Sequence, residues 1–95
     1  MTRVKTRPYD AANYLKTERQ MTRYLQLALD DSSPALVADA LGAIARAKGM
    51  AGVAQKAGLG RESLYKALSA TGNPELGTVL KVIRALGLEL RVATR

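Results

Sequence analysis

MAGVAQKAGLGRESLYKAL, residues Met50 to Leu68, decides the fold. The stretch reads as a short helix, a tight glycine turn and a second short helix. Val53, Ala54, Ala57, Leu59, Leu64 and Ala67 fall where two crossed helices bury side chains, and Ala54 is small where the pair would approach most closely. Gly58 stands at the sharp turn, where glycine adopts a positive φ at least cost. This spacing predicts a helix-turn-helix of the DNA-binding kind, whose second helix enters the major groove.

Upstream, Ser33-Pro34 is a start signal, an N-cap serine followed by a proline at the first helical position. Leu36, Val37, Ala40, Leu41, Ile44 and Ala45 repeat with helical period as far as Lys48, and Gly49 suits the position just past the end. Gly42 inside this helix costs of order 1 kcal/mol against alanine, which close packing would offset. Earlier still, Thr17-Glu18-Arg19-Gln20 has the capping-box form and predicts a helix from Glu18 to about Asp30. Its apolar stripe is Met21, Tyr24, Leu25 and Ala28, widened by Leu27 and Leu29. That width either packs wholly on the rest of the domain or leaves a part to cover a partner. Pro8-Tyr9-Asp10 reads as the start of a short helix through Lys16 with Asp10 as its cap, and Met1 to Arg7 as a polar, frayed end.

Downstream, Ser69 to Gly72 reads as a loop, and Asn73-Pro74-Glu75 as a helix start with an asparagine cap and a first-turn proline. Leu76, Val79, Leu80, Ile83 and Leu86 form the buried face of that helix, and Gly87 ends it. Leu88 to Thr94 then alternates, with Leu88, Leu90 and Val92 on one side and Glu89, Arg91 and Ala93 on the other. That is a strand pattern, and a lone strand needs a mate in a twin subunit or in a partner's sheet; the other reading of the segment is an unstructured tail. The expected fold is all-α: a small helical bundle containing the helix-turn-helix over 34–95, a helical extension over 1–33 and a short C-terminal β-strand.

Composition bounds the chemistry. Ninety-five residues make one small domain with or without an extension, and 47% hydrophobic content sets the chain apart from disordered segments. The apolar residues are mostly Ala, Leu and Val, with four Tyr and no Phe or Trp. With no cysteine and no histidine, disulfides, zinc sites and histidine-based catalysis are excluded, and a reducing cytoplasm is the natural compartment. No run approaches membrane-span length, and no leading segment resembles a signal peptide. Asp30-Asp31 is the only adjacent carboxylate pair; an acidic N-cap region explains it, so an enzyme is not expected. The net charge is +7, carried mainly by residues 34–95 with nine Lys/Arg against four Asp/Glu, which favours nucleic acid as a partner.

AQKAGLGRESLYKAL followed by GNPELGTVLKVIRALGL resembles the Cro/cI-type helix-turn-helix superfamily. Together with DAANYLKTERQMTRYLQLAL and PALVADALGAIARAKGM, the chain resembles the addiction-module antidote family, close to HigA antitoxins, over about residues 9–90. The resemblance implies an antitoxin of a type II toxin–antitoxin pair. Such a protein binds and silences a RelE/HigB-like RNA-cleaving toxin and, as a dimer, represses its own operon at promoter DNA, with neither cofactor nor metal.

In similar proteins the first turn of the second motif helix reads base edges, which points to Arg61, Glu62 and Ser63, with Lys66 and Tyr65 one turn on. Arginine pairs bidentately with guanine, glutamate accepts from cytosine or supports the helix dipole, and serine, lysine and tyrosine reach phosphate. Lys56, Asn73 and Lys81 are the phosphate candidates in flanking elements, whereas Arg46 and Lys48 complement a helix dipole. Two positions depart from the family pattern: Ala51 and Gly60 stand where relatives carry Ser or Thr as helix caps, and both weaken the anchoring of DNA. Gly60 stays among the DNA-binding positions as the residue that opens the helix.

The resemblance and the wide apolar face assign the toxin contact to residues 9–33, with Tyr14, Leu15, Tyr24, Leu25, Leu27 and Leu29 as its side chains. Toxins of this type are basic, as is this chain, so their union leans on apolar burial and on local acids such as Asp30, Asp31 and Asp39. Two other readings stay open: a free-standing phage-type repressor without a toxin, and an interaction module that no longer binds DNA.

Overall fold

The structure is a computed structural model that describes residues 10–69 and 73–95. Met1 to Arg7, Pro8 and Tyr9, and residues 70–72 of the loop expected after Ser69, lie outside the described residues. Among the described residues five α-helices follow one another: α1 (Glu18–Asp30), α2 (Pro34–Lys48), α3 (Met50–Ala57), α4 (Arg61–Ala67) and α5 (Leu76–Ala85). α1 packs on α2, α2 on α3, and α3 on both α4 and α5.

The capping box of α1 is complete. Thr17 Oγ1 accepts from the Gln20 amide at 3.1 Å, and Gln20 Oε1 accepts from the Thr17 amide at 3.0 Å. The same Oε1 accepts from Lys16 N–H at 2.7 Å. This corrects the short helix expected through Lys16. Asp10 does cap, accepting from Ala12 N–H at 3.1 Å, but only the 3-10 turn Ala11–Asn13 forms. Lys16 and Thr17 are drawn out of it because Gln20 claims both of their amides and Thr17 must be extended to cap α1.

α2 is the central helix. Ser33 caps it, Pro34 opens it, and Ala38 together with every residue from Ala40 to Ala45 is buried. Gly42 is a packing requirement: a Cβ there would lie 2.5 Å from the carbonyl oxygen of Leu68, just past the end of α4. Gly42→Ala should therefore lower stability by about 1–2 kcal/mol in urea unfolding, reversing the roughly 1 kcal/mol that alanine gains in an unobstructed helix. A stabilised variant would show that α2 and the end of α4 part without cost.

A single residue, Gly49, separates α2 from α3, and its φ of 107° turns the chain through a corner closed to side-chain-bearing residues. α3 ends in a Schellman motif: Gly58 is left-handed at φ 72°, and Leu59 N–H donates to the Ala54 carbonyl at 2.9 Å. The chain then passes through Gly60 into α4. Leu41, Ile44, Leu64, Val82 and Leu86 are the largest fully buried side chains, and Leu15, Met21 and Leu25 from the N-terminal segment join the same core. At about 1.5–3 kcal/mol for each fully buried large apolar side chain, this shared core holds the extension to the motif helices. Two ion pairs reinforce the join, Arg46 with Asp10 at 2.9 Å and Lys48 with Glu18 at 3.2 Å. Arg46 and Lys48 thus tie the end of α2 to the preceding segment as well as standing in its last turn.

Two expectations fail at the C-terminal end. α5 opens at Leu76 with Glu75 as its N-cap, so Asn73 is not a cap and Pro74 is not in the first turn. A turn begun at Pro74 would bury little, because Leu76 remains 68% exposed and the packed residues start at Val79, and a helix turn without packing is marginal in water. Second, no strand forms among the described residues. α5 stops at a second Schellman motif, with Gly87 at φ 79° and Leu88 N–H donating to the Ile83 carbonyl at 3.1 Å. Residues 89–95 continue without a ladder partner, and a strand exists only where another supplies its hydrogen bonds.

Candidate nucleic-acid and partner interfaces

α4 is seven residues long and has no side-chain cap, since Gly60 offers none. It is held from below: Leu64 is fully buried and Leu68, at its C-cap, nearly so. With that side pinned, the 3.6-residue period turns Arg61, Glu62, Ser63, Tyr65 and Lys66 outward, and all five are exposed. The Arg61 guanidinium lies 5.8 Å from the centre of the Tyr65 ring, a cation–π contact that restrains the arginine on the helix surface. The face therefore offers a forked donor group, a second cation, two hydroxyls and one acid.

The flanking candidates divide. Lys56 is exposed near the end of α3, but it gathers with Lys81 and Arg84 of α5 along a shallow cleft. A neighbouring cleft of about 470 Å³ adds Lys48 and Glu18 to Lys56 and Arg84. No residue of α4 lines either cleft, so these cations form a patch of their own. Arg84 was not anticipated as a member; its i, i+3 spacing from Lys81 was the available signal. Asn73 is exposed ahead of α5. Ala51 lies inside the first turn of α3, beyond the N-cap Gly49, so that helix lacks a side-chain cap because of Gly49 rather than Ala51.

On the other side of the molecule's sequence, α1 and α2 enclose a groove of about 320 Å³ lined by Tyr24, Leu27, Ala28, Asp31, Leu36, Asp39 and Ala40. Leu27 is 59% and Leu36 46% exposed, large apolar surfaces left uncovered beside two carboxylates. Tyr24 forms one wall; its partial burial, and then the charge of Asp39, raise its phenol above the usual tyrosine value, so it remains a hydroxyl. Tyr14 is exposed, and Leu29 is half-buried against the core. Leu15 and Leu25 lie in the core and present little surface in the single chain. Leu36 belongs to the apolar helical repeat of α2, and the structure places it on the groove, away from the core residues Leu41 and Ile44.

No group of three His, Cys, Asp or Glu side chains capable of holding a metal occurs among the described residues, nor does any helix long and apolar enough to cross a membrane.

The chain matches a family described as "Probable addiction module antidote protein" over residues 5–94. It is 46% identical over 84 residues to an uncharacterized protein of Haemophilus influenzae, the match covering 88% of this chain and 87% of that protein. No solved structure matches.

Proposed function

The chain belongs to the family of probable addiction module antidote proteins, and from that premise we propose that it is the cytoplasmic antitoxin of a type II toxin–antitoxin pair, a HigA-like protein that binds a RelE/HigB-like toxin and, as a homodimer, represses its own operon through a Cro/cI-type helix-turn-helix. It acts by binding and carries out no reaction. The observation that carries the toxin half is the groove between α1 and α2. Uncovered leucines stand there beside Asp31 and Asp39, which suits an apolar segment of a basic protein. Co-expression with the product of the neighbouring gene tests it: growth rescue and co-purification are expected. Failure of both, with promoter binding retained, would make the chain a free-standing repressor.

The DNA half is supported by α4, whose exposed first turn carries Arg61 braced by Tyr65. Arg61→Ala should weaken binding to the operon's promoter by about 1–3 kcal/mol and relax base preference at one position, measured by titration against a panel of single-base variants. Unchanged specificity would remove Arg61 from the interface. A dimer should protect two half-sites roughly 34 Å apart, one helical turn, in a footprint.

A further inference from the structure

Beyond Leu88 the chain is in neither helix nor strand, and its own fold does not use it fully. Among the described residues, no backbone hydrogen bond is made by residues 89–95. Leu88 is half-buried, Leu90 is 44% exposed and Val92 is 98% exposed. Glu89 and Arg91 project from the alternate positions and meet each other at 3.0 Å, with both side chains at least three-quarters exposed. Beside the segment lies a groove lined by Leu80, Ile83, Arg84, Gly87, Leu88, Glu89 and Leu90. Leu76 and Leu80, spaced i, i+4 on α5, are also exposed. Half of the eight exposed large apolar side chains among the described residues thus fall between Leu76 and Val92, which makes this end of the molecule an uncovered apolar surface fringed by an unpaired backbone.

We propose that residues 88–92, LELRV, pair antiparallel with the same residues of a second copy of this chain about a two-fold axis at Leu90. The sequence is self-complementary in that register and in no near one. Centred on Leu90, Leu88 stands opposite the partner's Val92, Glu89 opposite the partner's Arg91, and Leu90 opposite the partner's Leu90. Two-fold symmetry makes the Glu89–Arg91 pair twice, once on each side of the axis. Centring on Glu89 or on Arg91 would place like charges face to face, and a half-step shift would set each charged residue against an apolar one. The pairing satisfies the backbone groups of alternate residues along the segment and puts Leu88, Leu90 and Val92 of both strands on one face, where the exposed Leu76 and Leu80 of the two α5 helices can cover it. The inference rests on the homodimer of the preceding reading and supplies its surface; it requires neither DNA binding by α4 nor toxin binding at the α1–α2 groove.

The full-length chain tests it. Because the sequence holds no cysteine, Leu90→Cys introduces a lone thiol at the axis. Under mild oxidation it should form disulfide dimers, whereas Thr22→Cys, exposed on α1, should not. Glu89→Arg and Arg91→Glu should each weaken the dimer about tenfold in sedimentation equilibrium, and the double swap should restore it to within about twofold. All these positions are exposed, and circular dichroism should show every variant folded. A dimer indifferent to both single swaps, a double swap no tighter than the singles, or a chain that stays monomeric overturns the strand pair. Growth rescue then tells whether the antitoxin reading fails with it, since toxin binding at the α1–α2 groove does not use residues 88–92.

Discussion

Leu64→Ala should cost about 2–5 kcal/mol of folding stability and release the exposed face of α4 along with it. Leu64 is the fully buried residue of α4, and the seven-residue helix has little else to hold it. Helices this short are unstable alone in water, and this one starts at Gly60 without a side-chain cap. What fixes it is the seating of Leu64 and Leu68 in the common core, next to the close approach of Gly42 to the Leu68 carbonyl. Truncation removes the transfer energy of the lost atoms and leaves a cavity that the neighbouring α3 can close only in part. Urea unfolding should show the loss, and Ser63→Ala, one residue away and exposed, should stay within about 0.5 kcal/mol of the parent. A loss under about 1 kcal/mol for Leu64→Ala would mean that α4 is not anchored through its underside. Arg61 and Tyr65 would then lack the fixed platform that the DNA reading requires.

The parts of this fold that could be read from the sequence are those written in local chemistry. The Thr17–Gln20 box, the Ser33-Pro34 start and the left-handed Gly58 each satisfy particular backbone groups within a few residues, and each forms as expected. The parts that could not be read depend on what packs from afar. Periodicity marks an apolar face without marking its limits, so Leu27 and Leu29 both read as widening the stripe of α1; yet Leu29 is half-buried against the core and Leu27 is 59% exposed. α2 is buried on nearly every side along its second half, so its pattern gave no reason to set Leu36 apart from Leu41. Asn73-Pro74 carries a start signal, but nothing packs on the turn it would begin. The same limit applies to the site. The outward set on α4 follows from period and one buried leucine, whereas the association of Lys56 with Arg84 arises only from the packing of α3 on α5.

The other large effect belongs to the groove between α1 and α2. Replacing both Leu27 and Leu36 with lysine should lower affinity for the cognate toxin by about 2–4 kcal/mol, roughly 30- to 1,000-fold, measured by calorimetry and mirrored by loss of growth rescue. The two leucines are the largest exposed apolar surfaces on that groove, and a partner that desolvates them would make them the centre of its contact. Lysine removes that burial and sets two cations beside Asp31 and Asp39, neutralising the acid that suits a basic toxin. Because both sites are exposed, stability should change by no more than about 0.5 kcal/mol each, and promoter binding through α4 should persist. Aspartate at the same two positions separates the two contributions. It removes the same apolar contact but adds to the negative rim, so the aspartate pair should bind a basic toxin more tightly than the lysine pair. Equal losses would assign the contact to apolar burial alone. Full toxin binding by both variants would move the interface off this groove, to the exposed Tyr14 or to the outer face of α1, where Arg19, Arg23 and Gln26 surround the far side of Leu27.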